Sequence, residues 1–154
     1  MDGFSHQGRV LVVDNYEDWR KTLRRILGSE GFEVQVAQSC QEALGHLSAQ
    51  PFDLIILDVV LEGSRPQTYD GLRLLQEIEP ICNQKGTRVV MLSGYECPEE
   101  LQEQLQRPCV VAVLNKATVE AGALVTLVQG GVEQARQLRH IMAAQAAGES
   151  TTEA

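Results

Sequence analysis

Four short apolar runs in this chain are each followed by a side chain that could take part in chemistry. Asp14 follows RVLVV, Asp58 follows DLIIL, Ser93 follows RVVML, and Lys116 lies two residues after CVVAVL. A carboxylate can act as a nucleophile toward a phosphoryl group, a serine hydroxyl can hydrogen-bond a phosphoryl oxygen, and a lysine supplies a positive charge. Taken singly, each residue also has an ordinary explanation, such as capping a helix, forming a turn or lying in solvent.

The apolar runs predict the strands that would position these side chains. Four of them are nearly continuous in Val, Ile and Leu, which is typical of strands covered on both faces. A fifth run, FEVQVA, alternates apolar and polar residues and fits an edge strand. The predicted strands are residues 9–13, 32–37, 53–57, 88–92 and 109–114.

Between the runs, apolar residues recur at helical spacing and predict five helices. We expect Ser39 to cap the second helix, Pro80 to close the third, Pro98 to start the fourth and Thr118 to cap the fifth. Five strand–helix units in a row predict an α/β fold, in which a parallel sheet carries helices on both faces.

The C-terminal part of the sequence predicts two further segments. After Gly130-Gly131, apolar residues repeat at helical spacing, so residues 130–145 are either a kinked continuation of the fifth helix or a short separate one. Its apolar stripe could fold onto the same domain or form a dimer or partner surface. Residues 146–154 are small and polar, which predicts a disordered tail.

Composition narrows the function classes. The 154 residues suffice for one domain, and a net charge of −8 makes nucleic acid or an anionic membrane a poor partner. The four cysteines are scattered, with no C-x-x-C pair, which indicates a reducing compartment. No stretch is apolar for long enough to span a bilayer, so we expect a cytoplasmic protein.

The carboxyl ends of the strands are where function gathers in an open parallel sheet. Asp14, Asp58, Ser93 and Lys116 are all predicted to lie at that edge, and such joint placement favours a common role over four separate ordinary ones. Asp58 could then accept a phosphoryl group, with Lys116 and a carboxylate-bound Mg²⁺ supplying positive charge.

Four segments in register resemble the receiver domain of bacterial two-component response regulators. They are VLVVDNYEDW, DLIILDVVL, VVMLSGY and VLNKA, and the resemblance covers about residues 8–129. It implies a doubly wound, flavodoxin-like (βα)5 sheet with strand order 2-1-3-4-5. It also implies phosphotransfer from the phosphohistidine of a histidine kinase to Asp58.

The resemblance implies a role for each site residue. Asp58 would be the phosphoacceptor, with Ser93 and Lys116 as the other catalytic positions. Mg²⁺ would be bound by Asp14, Asp58, the backbone carbonyl of Val60 and Asn15. Because Asn15 stands where the family has a second acid, we expect it to bind weakly or through a water, and Mg²⁺ affinity to be low.

Three further positions depart from the family pattern. The loop after Asp58, VVLEGSRPQTYDG, is long and lacks the proline that often follows the phosphorylated residue. An aliphatic residue near Val113 replaces the aromatic switch residue of the fifth strand. The usual Lys-Pro is Lys116-Ala117, and we expect its peptide bond to be cis, as in the family, despite a cost of about 2.5–4 kcal/mol.

Three function classes follow. The leading hypothesis is a receiver phosphorylated on Asp58, not an enzyme beyond self-catalysed phosphotransfer and dephosphorylation. Its partners would be a histidine kinase or phosphotransfer protein, an unknown downstream protein and a possible second copy, with no nucleic acid or membrane. The alternative is a degenerate receiver that binds proteins independently of phosphorylation. A flavodoxin-like enzyme or nucleotide binder is the third class, although DNYEDW lacks the glycines of a phosphate-binding loop.

Overall fold

The fold is a five-stranded parallel sheet. The computed structural model describes residues 7–61, 69–94 and 99–152. The sheet order is β2-β1-β3-β4-β5, which confirms the predicted flavodoxin-like topology. The strands are β1 (Arg9–Val13), β2 (Glu33–Ala37), β3 (Leu54–Asp58), β4 (Arg88–Ser93) and β5 (Val110–Asn115).

Helices cover both faces of the sheet because alternate residues of the central strands point to opposite sides. Leu11 and Ile55 belong to a core that contains side chains of the second, third and fourth helices, whereas Val10 and Ile56 belong to a core with the first and fifth. The helices are α1 (Glu17–Ser29), α2 (Cys40–Ala49), α3 (Asp70–Lys85), α4 (Glu99–Leu105) and α5 (Ala121–Thr152).

Helix boundaries agree with the predictions only in part. Ser39 caps α2, with its hydroxyl accepting the Glu42 N–H at 3.2 Å. Pro80 does not close α3, which continues to Lys85 because the neighbouring Ile78 and Cys82 are packed in the core. Thr118 lies in a turn rather than at the cap of α5. Pro98 lies outside the described residues.

Residues 130–145 continue α5 without a break. Gly131 lets this helix lie close to β3, because a Cβ atom there would lie 2.5 Å from Leu54 Cδ1. Val132 and Ala135 are buried against the domain, and the Arg139 guanidinium pairs with Asp53. Of the predicted disordered tail, residues 146–154, the part up to Thr152 belongs to α5, where the preceding alanines have high helix propensity, and residues 153–154 lie outside the described residues.

Removal of this extension is therefore expected to destabilise the domain. A chain truncated after Gln129 loses the buried side chains of Val132 and Ala135, and its free energy of unfolding should fall by about 2–4 kcal/mol. A chain truncated after Met142 loses residues 143–154, of which those with described burial, 143–148, are all exposed. Its free energy of unfolding should change by less than about 0.5 kcal/mol. Urea denaturation of the three chains measures both effects; equal losses would contradict the packing role of Val132.

Candidate functional site

Two buried carboxylates lie side by side at the carboxyl edge of the sheet. Asp14 directly follows β1, Asp58 ends β3, and these strands are neighbours in which Val13 pairs with Leu57. The relative exposures of Asp14 and Asp58 are only 1% and 3%. Two carboxylates in such a position repel each other and need a cation or a proton.

Lys116 supplies that cation. Its Nζ donates a hydrogen bond to Asp58 Oδ2 at 3.0 Å and lies 2.7 Å from Asp14 Oδ2. The contact with Asp14 is an ion pair without hydrogen-bond alignment, so this buried oxygen still accepts no hydrogen bond. The lysine side chain is only 9% exposed, and the three groups form one buried charge cluster.

The backbone around Lys116 differs from the predicted one. The Lys116–Ala117 peptide bond is trans, so the expected cis bond was wrong. The high free energy of a non-proline cis bond favours this outcome, and other contacts fix the turn. Lys116 N–H donates to the Ser93 carbonyl at 2.8 Å, and Asn115 Oδ1 accepts the Ala117 N–H at 2.7 Å.

The other predicted site residues occupy the same edge. Ser93 is the buried last residue of β4, in register with Asn115 of β5. The backbone N–H of Val60 donates to Asp58 Oδ1 at 3.1 Å. Asn15 is exposed beside the buried Asp14. Val113 of β5 is exposed as well, whereas most of the long loop after Asp58, residues 62–68, lies outside the described residues.

Burial controls the titration of Asp58. Desolvation, together with the neighbouring Asp14 carboxylate, raises the pKa of Asp58 from 3.8 to about 6 after all its neighbours have acted. The Lys116 ammonium and the Val60 N–H oppose this shift by stabilising the carboxylate. A raised pKa in a carboxyl group with specific charged neighbours is typical of a functional site.

Gly71 is a site residue that our sequence reasoning missed. A Cβ atom at this position would lie 1.8 Å from the backbone oxygen of Asp58, so α3 can approach β3 only with glycine there. The Gly71 N–H also donates to the Val59 carbonyl at 2.8 Å. The preceding Tyr69 adopts a left-handed conformation with φ 41°. The only sequence signal was the YDG motif at the start of the helix.

The donor set of the site suits a hard cation. Asp14 and Asp58 offer carboxylate oxygens, and Asp14 Oδ2 is a buried acceptor without a hydrogen bond, so these residues fit Mg²⁺. Within the described ranges, no three His, Cys, Asp or Glu side chains form a cluster that could hold a metal ion. The pair of acids, with asparagine as neighbour, therefore supplies less charge than three carboxylates would.

Comparisons with known proteins identify the family of the chain. Residues 10–129 match the family model of the response regulator receiver domain. The nitrogen assimilation regulatory protein NtrX of Azorhizobium caulinodans is 30% identical over 132 residues, which are 86% of this chain and 28% of that protein. This chain thus spans less than a third of that relative.

Solved structures show the same likeness. The crystal structure of NtrX from Brucella abortus in complex with ADP has a TM-score of 0.74 and 30% identity, covering 88% of this chain and 29% of that one. A CheY-like receiver domain from Methanospirillum hungatei has a TM-score of 0.72 at 22% identity, covering 84% and 96%, and shows the shared fold. With its family model matched across most of its length, the chain belongs to the receiver domain family of response regulators.

Proposed function

We propose that Asp58 accepts a phosphoryl group from a histidine kinase or a phosphotransfer protein, and that the phosphorylated domain signals through protein contacts. The observation that carries this proposal is the buried Asp58 carboxylate with the Lys116 ammonium 3.0 Å away. Phosphoryl transfer depends mainly on positioning and on positive charge near the transferred oxygens. Both requirements are met by these two side chains.

The reaction balances with groups of this site. An Asp58 carboxylate oxygen attacks the phosphorus of the phosphohistidine, the P–N bond breaks, and the imidazole nitrogen keeps the electron pair. Lys116 neutralises charge on the phosphoryl oxygens, and the Ser93 hydroxyl hydrogen-bonds one of them. Mg²⁺ bound to Asp14 and Asp58, with the Val60 carbonyl as a further ligand and Asn15 directly or through water, would add Lewis-acid stabilisation.

Intact mass after incubation with acetyl phosphate and Mg²⁺ tests the proposal. The wild-type chain should gain about 80 Da per phosphoryl group, and Asp58→Asn should gain nothing. Asp18→Asn is the matched control, since Asp18 is exposed in the first turn of α1 and should leave the gain unchanged. Labelling that persists in Asp58→Asn would reject the assignment.

The alternative function is a degenerate receiver that binds proteins without phosphorylation. Among the described residues, Asn15 leaves Asp14 and Asp58 as the acids of the site, and a weaker metal site would slow phosphorylation. Titration with beryllofluoride, an analogue of the phosphoryl group, separates the two functions. Binding that depends on Asp58 supports the phosphoacceptor, and its absence at high Mg²⁺ supports the degenerate module.

Asn15→Asp is expected to tighten Mg²⁺ binding by about tenfold, because a third carboxylate adds negative charge where the asparagine adds only a dipole. The measurement is a Mg²⁺ titration followed by the fluorescence of Trp19, which is the only tryptophan of the chain. Asp18→Asn, which removes one nearby exposed charge, controls for long-range electrostatics. Equal affinities of the wild type and Asn15→Asp would show that the amide is an adequate ligand.

The proposed partners are proteins. Receiver domains as a family interact with histidine kinases or downstream effectors. The net charge of −8 disfavours nucleic acid and anionic membranes as partners of this domain. In the part of the chain that the structure describes, no helix combines the length and apolarity needed to cross a bilayer. We propose a cytoplasmic location. Measurement of the molecular mass in solution tests whether the chain forms a homodimer.

A further inference from the structure

Two aromatic rings enclose the Lys116 ammonium together with the two carboxylates. Its Nζ lies 5.0 Å from the ring centroid of Tyr16 and 5.2 Å from that of Trp19. Both distances are within the range of about 6 Å in which the face of an aromatic ring attracts a cation. The ammonium therefore has four neighbours that favour its positive charge.

The start of α1 holds these rings beside the site, with Tyr16 as the N-cap residue and Trp19 in the first turn. Tyr16 and Trp19 are three residues apart, which places both on one side of the helix start. The Tyr16 N–H donates to Asp14 Oδ1 at 2.8 Å, and the Arg20 guanidinium donates to the Asp14 carbonyl at 2.7 Å. The same aspartate that contacts the ammonium thus also anchors the segment carrying both rings.

Apolar burial does not account for the position of Tyr16. The relative exposure of Tyr16 is 58%, so little of its surface is buried against apolar side chains. Trp19 is half-buried and packs on the core shared by α1 and α5. A partly exposed ring beside a nearly buried ammonium is explained more simply by attraction to the cation than by hydrophobic packing.

We propose that Tyr16 and Trp19 are positioning residues, which hold Lys116 between Asp14 and Asp58 through their ring faces. This inference rests on the proposed function, since it concerns the cation that would meet the phosphoryl group. Lysine has a flexible four-carbon stem, so a fixed ammonium position needs contacts beyond a single carboxylate. The two rings limit the movement of the ammonium toward solvent before phosphorylation.

Reactivity of the lysine amines tests the inference without any phosphorylation. Acetylation by an N-hydroxysuccinimide ester is followed by peptide mass spectrometry at Lys116, with Lys21 and Lys85 as internal references; the Lys21 side chain is 73% exposed. Tyr16→Leu and Trp19→Leu should each raise the rate at Lys116 about fivefold, since leucine keeps bulk but lacks the ring face. Tyr16→Phe and Trp19→Phe should stay within about twofold of the wild type.

A second readout leaves both rings in place. Lys116→Met should shift the emission of Trp19, whereas Lys85→Met should not, because only the first removes a cation from the indole. Rates at Lys116 that are the same in the Leu and Phe variants, or unchanged emission in Lys116→Met, would overturn the inference. A wild type that gains no phosphoryl group while Lys116 shows the expected ring dependence would reject the proposed function alone.

Discussion

Gly71→Ala is expected to lower the free energy of unfolding by about 3 kcal/mol or more, and to abolish phosphorylation of Asp58. The added Cβ would lie 1.8 Å from the Asp58 backbone oxygen and 2.7 Å from its carbonyl carbon. These are backbone atoms of a buried strand, so they cannot turn aside as a side chain could. Either α3 must move away from β3, or the strand end that carries the phosphoacceptor must shift.

Gly28→Ala is the matched control for this substitution. Gly28 lies within α1, and a Cβ there would meet no atom within 4 Å. Alanine should stabilise that helix by up to about 1 kcal/mol, because it has fewer unfolded conformations than glycine. Urea denaturation measures both variants, and the acetyl phosphate mass assay follows function. A Gly71→Ala protein as stable as the wild type would refute the close contact between α3 and Asp58.

The sheet could be predicted because its strands are buried on both faces. Runs such as LVV in β1 and LIIL in β3 contain only apolar side chains, and all of these side chains are buried in the structure. The same runs placed Asp14 and Asp58 at one edge, since parallel strands end together. Lys116 could be placed at that edge as well, because it follows the end of another parallel strand.

Other features depend on contacts that no local pattern contains. Gly130-Gly131 weakens a helix by propensity, yet α5 continues through it, and Val132 and Ala135 beyond the glycines are buried against the domain. Pro80 is tolerated in α3 because residues on either side of it are packed in the core. The Lys116–Ala117 bond is trans, as the pair itself favours, but the hydrogen bond from the Ala117 N–H to the Asn115 side chain is a contact of the turn that no local pattern indicates.

Asp58→Asn is expected to stabilise the protein by about 3 kcal/mol above pH 7 in metal-free buffer, although it removes the proposed function. The pKa of Asp58 rises from 3.8 to about 6 in the folded state, chiefly because the carboxyl group is buried. The native state therefore binds the proton more tightly than the unfolded state. The contribution of Asp58 to the free energy of unfolding of the wild type should be greatest below about pH 4. It should fall as the pH rises through about 6.

The difference in unfolding free energy between Asp58→Asn and the wild type should follow the same window. It should grow between about pH 4 and pH 6, where the wild-type carboxyl ionises, and remain constant above pH 7. Urea denaturation in EDTA across this range measures it, with Asp18→Asn as an exposed control that stays near zero. A variant less stable than the wild type at pH 8 would show that Lys116 fully compensates the buried charge. If Mg²⁺ abolishes the stability gain of Asp58→Asn, the destabilisation of the wild type comes from the unneutralised negative charge of a cation site. Gly71 and Lys116 hold the Asp58 end of that site in place, through the close approach of α3 and the hydrogen bond to the carboxylate.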